Sequence, residues 1–244
     1  MALDFRSASE QLNLTANAEC TVVAPSGIID DDILIFVLER AVVTSAISWP
    51  TGFVELWGSS GNHDGGNFAG AWKRASSESG NYQATWSGNS LNVGIVYAIS
   101  GALISADPIT IGTVATGAGV TPDPPNADPG SSEDRLAIAC YGQEGKGDNR
   151  FAEPSGYTEP ANSDVGTTGS GSGAGHCGLG LSYKLYTGQA ENPGTTTSSI
   201  NDGWAAQTII FDEEPSADTT DQEQAAMQQI IIPTLPQIVP VSYF

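Results

Sequence analysis

Few residues in this sequence are equipped for chemistry, and their spacing decides which chemistry. His63 precedes Asp64, and His176 precedes Cys177. A hydrolase of a familiar kind would place such groups in a G-x-S-x-G elbow or an H-E-x-x-H helix, and neither pattern occurs. Neighbouring residues on a strand point to opposite faces, so His176 and Cys177 make a poor base–nucleophile pair. Oxygen ligands are more plentiful. Asp30-Asp31-Asp32 and Asn62-x-Asp64-Gly65-x-Asn67 offer Asp30, Asp32, Asn62 and Asp64 as calcium candidates. Both runs lack the spaced oxygens and terminal Glu of an EF-hand loop, and Asn-x-Asp-Gly is equally a turn sequence. Trp49, Trp57, Trp72, Trp86 and Trp204 could in part form a sugar-stacking platform, although Trp86 and Trp204 read as core. The expectation is no catalytic residue and no resident cofactor, with Ca²⁺ as the candidate ion.

Composition narrows the classes. The chain has 244 residues, 29 Gly and 14 Pro, which favours short strands joined by many turns. Against 8 Lys and Arg stand 28 Asp and Glu, a formal charge of -20. Such a surface repels nucleic acid and anionic membrane, because phosphate recognition needs Lys and Arg. Cys20, Cys140 and Cys177 match no zinc spacing. They read as small buried hydrophobes, or at most one bridge. No basic region followed by an apolar stretch opens the chain, so synthesis in a cytoplasm without a secretion signal is expected.

The element that must organise these groups is Ile33-Leu34-Ile35-Phe36-Val37-Leu38, ending at Glu39-Arg40. Six consecutive apolar residues, several β-branched, predict a strand buried on both faces. Its echo is Glu133-Asp134-Arg135-Leu136-Ala137-Ile138-Ala139-Cys140. Later motifs repeat in order. Pro50-Thr-Gly-Phe-Val-Glu55 matches Pro154-Ser-Gly-Tyr-Thr-Glu159, Trp72-Lys73 matches Tyr183-Lys184, and Ile99 aligns with Ile210. Asp32 aligns with Asp134 on the same reading. The predicted fold is all-β: a β-sandwich, jelly-roll-like, built from an internal duplication whose halves are intertwined or stacked. Residues 1–21 are an N-terminal edge segment, 22–104 the first β unit and 105–132 a Pro/Gly-rich connector, read as an exposed extended link. Residues 133–214 are the second β unit, and 215–244 an extended C-terminal arm.

This motif order, covering about residues 22–212, resembles a duplicated β-sandwich domain of tailed-bacteriophage virion proteins and some bacterial surface proteins. The resemblance implies a structural virion component, foremost a capsid decoration protein, or else a tail or fibre module. It implies capsid or tail lattice proteins as partners, homo-oligomers, a place on the virion surface after assembly in the host cytoplasm, and no enzymatic activity. A carbohydrate-binding or adhesin module is the alternative.

The C-terminal sequence suits attachment. After acidic, Gln-rich residues 218–229 comes Ile-Ile-Ile-Pro-Thr-Leu-Pro-Gln-Ile-Val-Pro-Val-Ser-Tyr-Phe244. Its prolines preclude helix and its apolar content disfavours a free tail. The expectation is an arm that inserts Ile231, Leu235, Ile238, Val241 and Phe244 into pockets of a partner.

Overall fold

A computed structural model describes residues 2–41, 44–104, 107–145, 151–161, 163–166 and 175–214. The expected arm, with Ile231, Leu235, Ile238, Val241 and Phe244, lies outside the described residues.

The fold is all-β and antiparallel. The first half supplies β1 (Asp4–Val23), β2 (Ile33–Ala41), β3 (Ile47–Ser48), β4 (Val54–Trp57), β5 (Asn62–His63), β6 (Gly66–Arg74) and β7 (Asn81–Ser100). The second supplies β8 (Ile109–Ile111), β9 (Ala115–Gly119), β10 (Glu133–Glu144), β11 (Phe151–Ala152), β12 (Asp164–Gly166), β13 (Cys177–Gly188), β14 (Thr197–Ser198) and β15 (Asp202–Asp212). One sheet runs β1-β7-β2-β6-β4, with β3 beside β7 and β5 beside β6. A second runs β12-β13-β10-β15-β8, with β9 beside β15, and β11 pairs with β14 in a separate two-stranded sheet. Each sheet is therefore drawn from one continuous stretch of chain, and the halves are stacked.

Three apolar layers explain the long buried runs. Ile33, Ile35 and Val37 meet Leu136, Ile138 and Cys140 between the sheets. Leu34, Phe36 and Leu38 lie under Cys20, Val22, Tyr82, Ala84 and Trp86 on the outer side. Ala137, Ala139 and Tyr141 are covered by Phe151, Tyr157 and Trp204 on the other outer side. β2 is thus buried on both faces along its length, as its sequence predicts. Gly94 pairs with Gln11, yet a Cβ on Gly94 would press on Cys20 and Val22 of the same strand β1. The register shifts between Asn13 and Glu19 are the bends that fold β1 back over its own sheet.

The two sheets use the same devices. Phe53 N–H donates to Pro50 O and Tyr157 N–H to Pro154 O, both at 3.0 Å. Gly52 (φ 85°) and Gly156 (φ 82°) take the positive-φ third position that a type II turn reserves for glycine. Lys73 pairs with Glu78 at 2.6 Å and lies over Phe53; Lys184 pairs with Glu191 at 2.9 Å and lies over Tyr157.

Register corrects two alignments. Ile35 pairs with Trp72, and Ile138 with Tyr183, so the β2–β10 offset is 103, not the 102 of Asp32 with Asp134. Leu34 pairs with Ala98, and Ala137 with Ile210, so Ala98 and not Ile99 matches Ile210. A one-residue slip exchanges core-facing and outward-facing side chains, and apolar runs buried on both faces do not reveal it in sequence. The stretch 105–132 is also more than an exposed link. β8 and β9 pair with β15 as β1 pairs with β7, and Pro122, Pro124 and Ala127 are buried. β5 and the start of β6 form a tight hairpin, with Asn62 paired to Asn67 and His63 to Gly66.

Candidate functional site

Alternation at the end of β2 sends Glu39 between the sheets and Arg40 outward, and both side chains are buried. The sequence marks this pair only as the polar end of a strand; their partners come from elsewhere in the fold.

Glu39 Oε1 lies 2.9 Å from His63 Nε2, and His63 Nδ1 lies 3.0 Å from Asp64 O. The β5–β6 hairpin holds the histidine, whose side chain is 1% exposed. Glu39 Oε2 has no hydrogen-bond partner among the described residues. It rests against Gly142, where any Cβ would collide with it. Register makes Gly142 the counterpart of Glu39: Glu39 pairs with Phe68 and Val93, and Gly142 with Leu179 and Ala205. The carboxylate therefore occupies space that its own repeat position leaves open in the other sheet. Cys177 Sγ faces Glu39 O at 3.7 Å.

Both imidazole nitrogens face oxygens, so one proton lies between Nε2 and Glu39 whichever group formally owns it. Burial pushes Glu39 up, against the lowering effect of His63 and Arg40. Burial pulls His63 down, but Glu39, the Asp64 carbonyl and Glu144 outweigh it and leave His63 raised. Burial also raises Glu144, assisted by Asp202 and Asp64, against Gly175 and His63. A general base needs a nitrogen turned toward substrate. Here Glu39 and the Asp64 carbonyl occupy both nitrogens of His63, and the pair ties the β5–β6 hairpin to β2 on the face turned toward the other sheet.

On the outer face, Arg40 Nε and Nη2 donate to Asn67 Oδ1, Nη2 donates to Ser45 O at 2.8 Å, and the guanidinium lies 5.1 Å over Trp86. Nη1 has no hydrogen-bond partner among the described residues. Burial lowers the group to about 10, against Glu39 and Glu55, so it stays charged at neutral pH. Arg40 and Asn67 are the buried lining of a recess of about 180 Å³ whose rim includes Thr44, Glu55 and Ser59. Glu55 Oε2 accepts from Trp49 Nε1 at 2.9 Å, and the carboxylate lies over Gly58, where a Cβ would displace it.

The calcium candidates do not converge. Asp32 pairs with Arg6 at 2.6 Å and accepts from Ile29 N–H; Asp30 accepts from Ser77 N–H at 2.6 Å. Asn62 Oδ1 accepts from Asn67 at 2.8 Å, and the Asp64 backbone packs on Gly203. The two runs lie at opposite ends of β2, because Asp32 precedes Ile33 whereas Gly66 pairs with Ala41. Among the described residues no three His, Cys, Asp or Glu side chains are grouped to hold a metal ion. Cys20, Cys140 and Cys177 are buried thiols. Trp57, Trp86 and Trp204 belong to three different apolar layers, with Trp72 packed on the layer of Trp57 and Trp49 on that of Trp86, so the five do not form one platform. No protein-family model, curated protein or solved structure matches this chain.

Proposed function

We propose that this protein is a structural component of a tailed-bacteriophage virion, a capsid decoration protein that binds the particle through its C-terminal arm and its sandwich. The observation that carries the reading is that the fold occupies its reactive side chains internally. His63 and Glu39 face each other, three thiols are buried, and the carboxylates of Asp30 and Asp32 serve internal donors. Such a body is a scaffold, and a means of attachment beyond its own surface is sought in the sequence that follows it. The sequence after the compact unit that ends at Glu214 supplies one: an apolar stretch interrupted by Pro233, Pro236 and Pro240. Leaving apolar surface in water costs about 25 cal/mol per Å², and the prolines limit strand pairing, so side chains filling a partner's pockets would provide the binding. Labelling the protein in purified particles tests its location, and deleting residues 216–244 tests the arm. The truncated protein should fold with an unchanged Tm and fail to join particles. Incorporation at full occupancy would place attachment on the sandwich, and absence of the full-length protein from particles would refute the virion reading. A carbohydrate-binding role is the second reading, favoured by the Arg40 recess.

A further inference from the structure

The geometry points to the Arg40 recess as a binding site for one neutral sugar ring, held between the Arg40 guanidinium and the Glu55 carboxylate. The site deepens the carbohydrate-binding reading and does not depend on where the protein assembles.

The internal repeat supplies the comparison. Arg40 pairs with Asn67 and Asn92, and Gln143 pairs with Gly178 and Trp204, which makes Gln143 the counterpart of Arg40. The Gln143 amide is closed off: Nε2 donates to Gly119 O at 2.9 Å and Ile200 O at 3.0 Å, and Oε1 accepts from Ser198 Oγ. At the same backbone position the first half places a buried cation in the lining of a recess, and its Nη1 has no hydrogen-bond partner among the described residues. A buried N–H without an acceptor is costly, so a ligand oxygen there gains more than it would at an exposed arginine.

Charge selects the ligand. Glu55 on the rim and a formal charge of -20 disfavour an anion beside Arg40. A polyol satisfies both groups, because one hydroxyl oxygen accepts from the guanidinium while another hydroxyl donates to the carboxylate. Thr44 and Ser59 add hydroxyls, and Ile47 adds an apolar wall for a C–H face. At about 180 Å³ the recess is below the roughly 300–1,000 Å³ of drug-sized sites, which suits one ring and not an extended chain. Gly58 belongs to the design, since only a residue without Cβ lets Glu55 lie over it.

The test uses the full-length protein, tryptophan fluorescence and ligand-observed NMR. Glucose, galactose, mannose, xylose and N-acetylglucosamine are titrated separately, with acetate and phosphate as anionic probes. At least one sugar should saturate with a Kd on the order of 1 mM. Glu55→Gln should weaken that affinity about tenfold, the loss of one charge-assisted hydrogen bond, and Gly58→Ala should weaken it comparably. Glu55 is exposed, so its variant should keep the parent Tm, and Glu159→Gln at the counterpart position should bind as the parent does. Saturation by no sugar, tighter binding of acetate or phosphate, or an unchanged affinity in Glu55→Gln would each overturn the assignment.

Discussion

His63→Ala should destabilise the sandwich in proportion to pH. Removing the imidazole takes away the partner of Oε1 and leaves the Glu39 carboxylate fully buried with neither oxygen hydrogen-bonded among the described residues. Desolvation then forces the group to stay protonated in the folded state. Holding it so at pH 7 against an ordinary value of 4.5 costs about 3.4 kcal/mol, at about 1.36 kcal/mol per pH unit. That agrees with the roughly 3–5 kcal/mol seen when one partner of a buried pair is removed. For a unit of this size it corresponds to a fall in Tm of about 6–20 °C. The sign is fixed by linkage. A folded carboxyl raised above its unfolded value favours the folded state less as pH climbs from 4.5, so the penalty should shrink toward a cavity cost as pH falls to that value. In Glu39→Gln the ionisable partner is gone, and adding His63→Ala should bring no such pH dependence. The parent pair has its own window. Its raised His63 contributes stability that is fully present below about pH 6.5 and lost as pH rises through the folded value. Urea denaturation across pH 4.5–8 measures all four proteins. An equal His63→Ala penalty at pH 4.5 and pH 7 would refute the buried-carboxylate account.

Three further expectations are independent of that pair. Gly70→Ala should cost about 1–3 kcal/mol, because the new methyl would enter the Trp57 indole; a Tm equal to the parent's would contradict the packing between β4 and β6. The three cysteines should be inert to a disulfide reagent in the native protein and all react in denaturant, since burial pushes the Cys20 thiol up to about 12 and raises Cys140 as well. Fast native labelling of any of them would expose an opening of the sandwich. Treatment with EDTA should leave Tm unchanged, because the carboxylates of Asp30 and Asp32 already accept from protein donors; a drop of many degrees would instead reveal a structural cation.

Much of the scaffold was legible because local rules decide it. Short apolar runs without polar alternation fit strands covered on both sides, and Ile33–Leu38 and Leu136–Cys140 are such strands. Pro-x-Gly-aromatic dictates the same turn wherever it occurs, and Trp-Lys and Tyr-Lys mark the same register in both sheets. Other features were decided by tertiary structure alone. A two-sided strand carries no period that fixes its register, so a slip of one residue in the repeat alignment is invisible until partners are known. The proline-rich stretch 105–132 reads as linker by composition, yet the edge of β15 offers it backbone partners and recruits it. Glu39 and Arg40 look like the solvated end of a strand. They are buried because His63 sits in a neighbouring hairpin, Gly142 lies in the opposite sheet and Trp86 folds over the outer face. Sequence order specifies none of those distances. Alternation along β2 sends the two neighbours to opposite faces, and only the packing of each face gives the two sites their different chemistry.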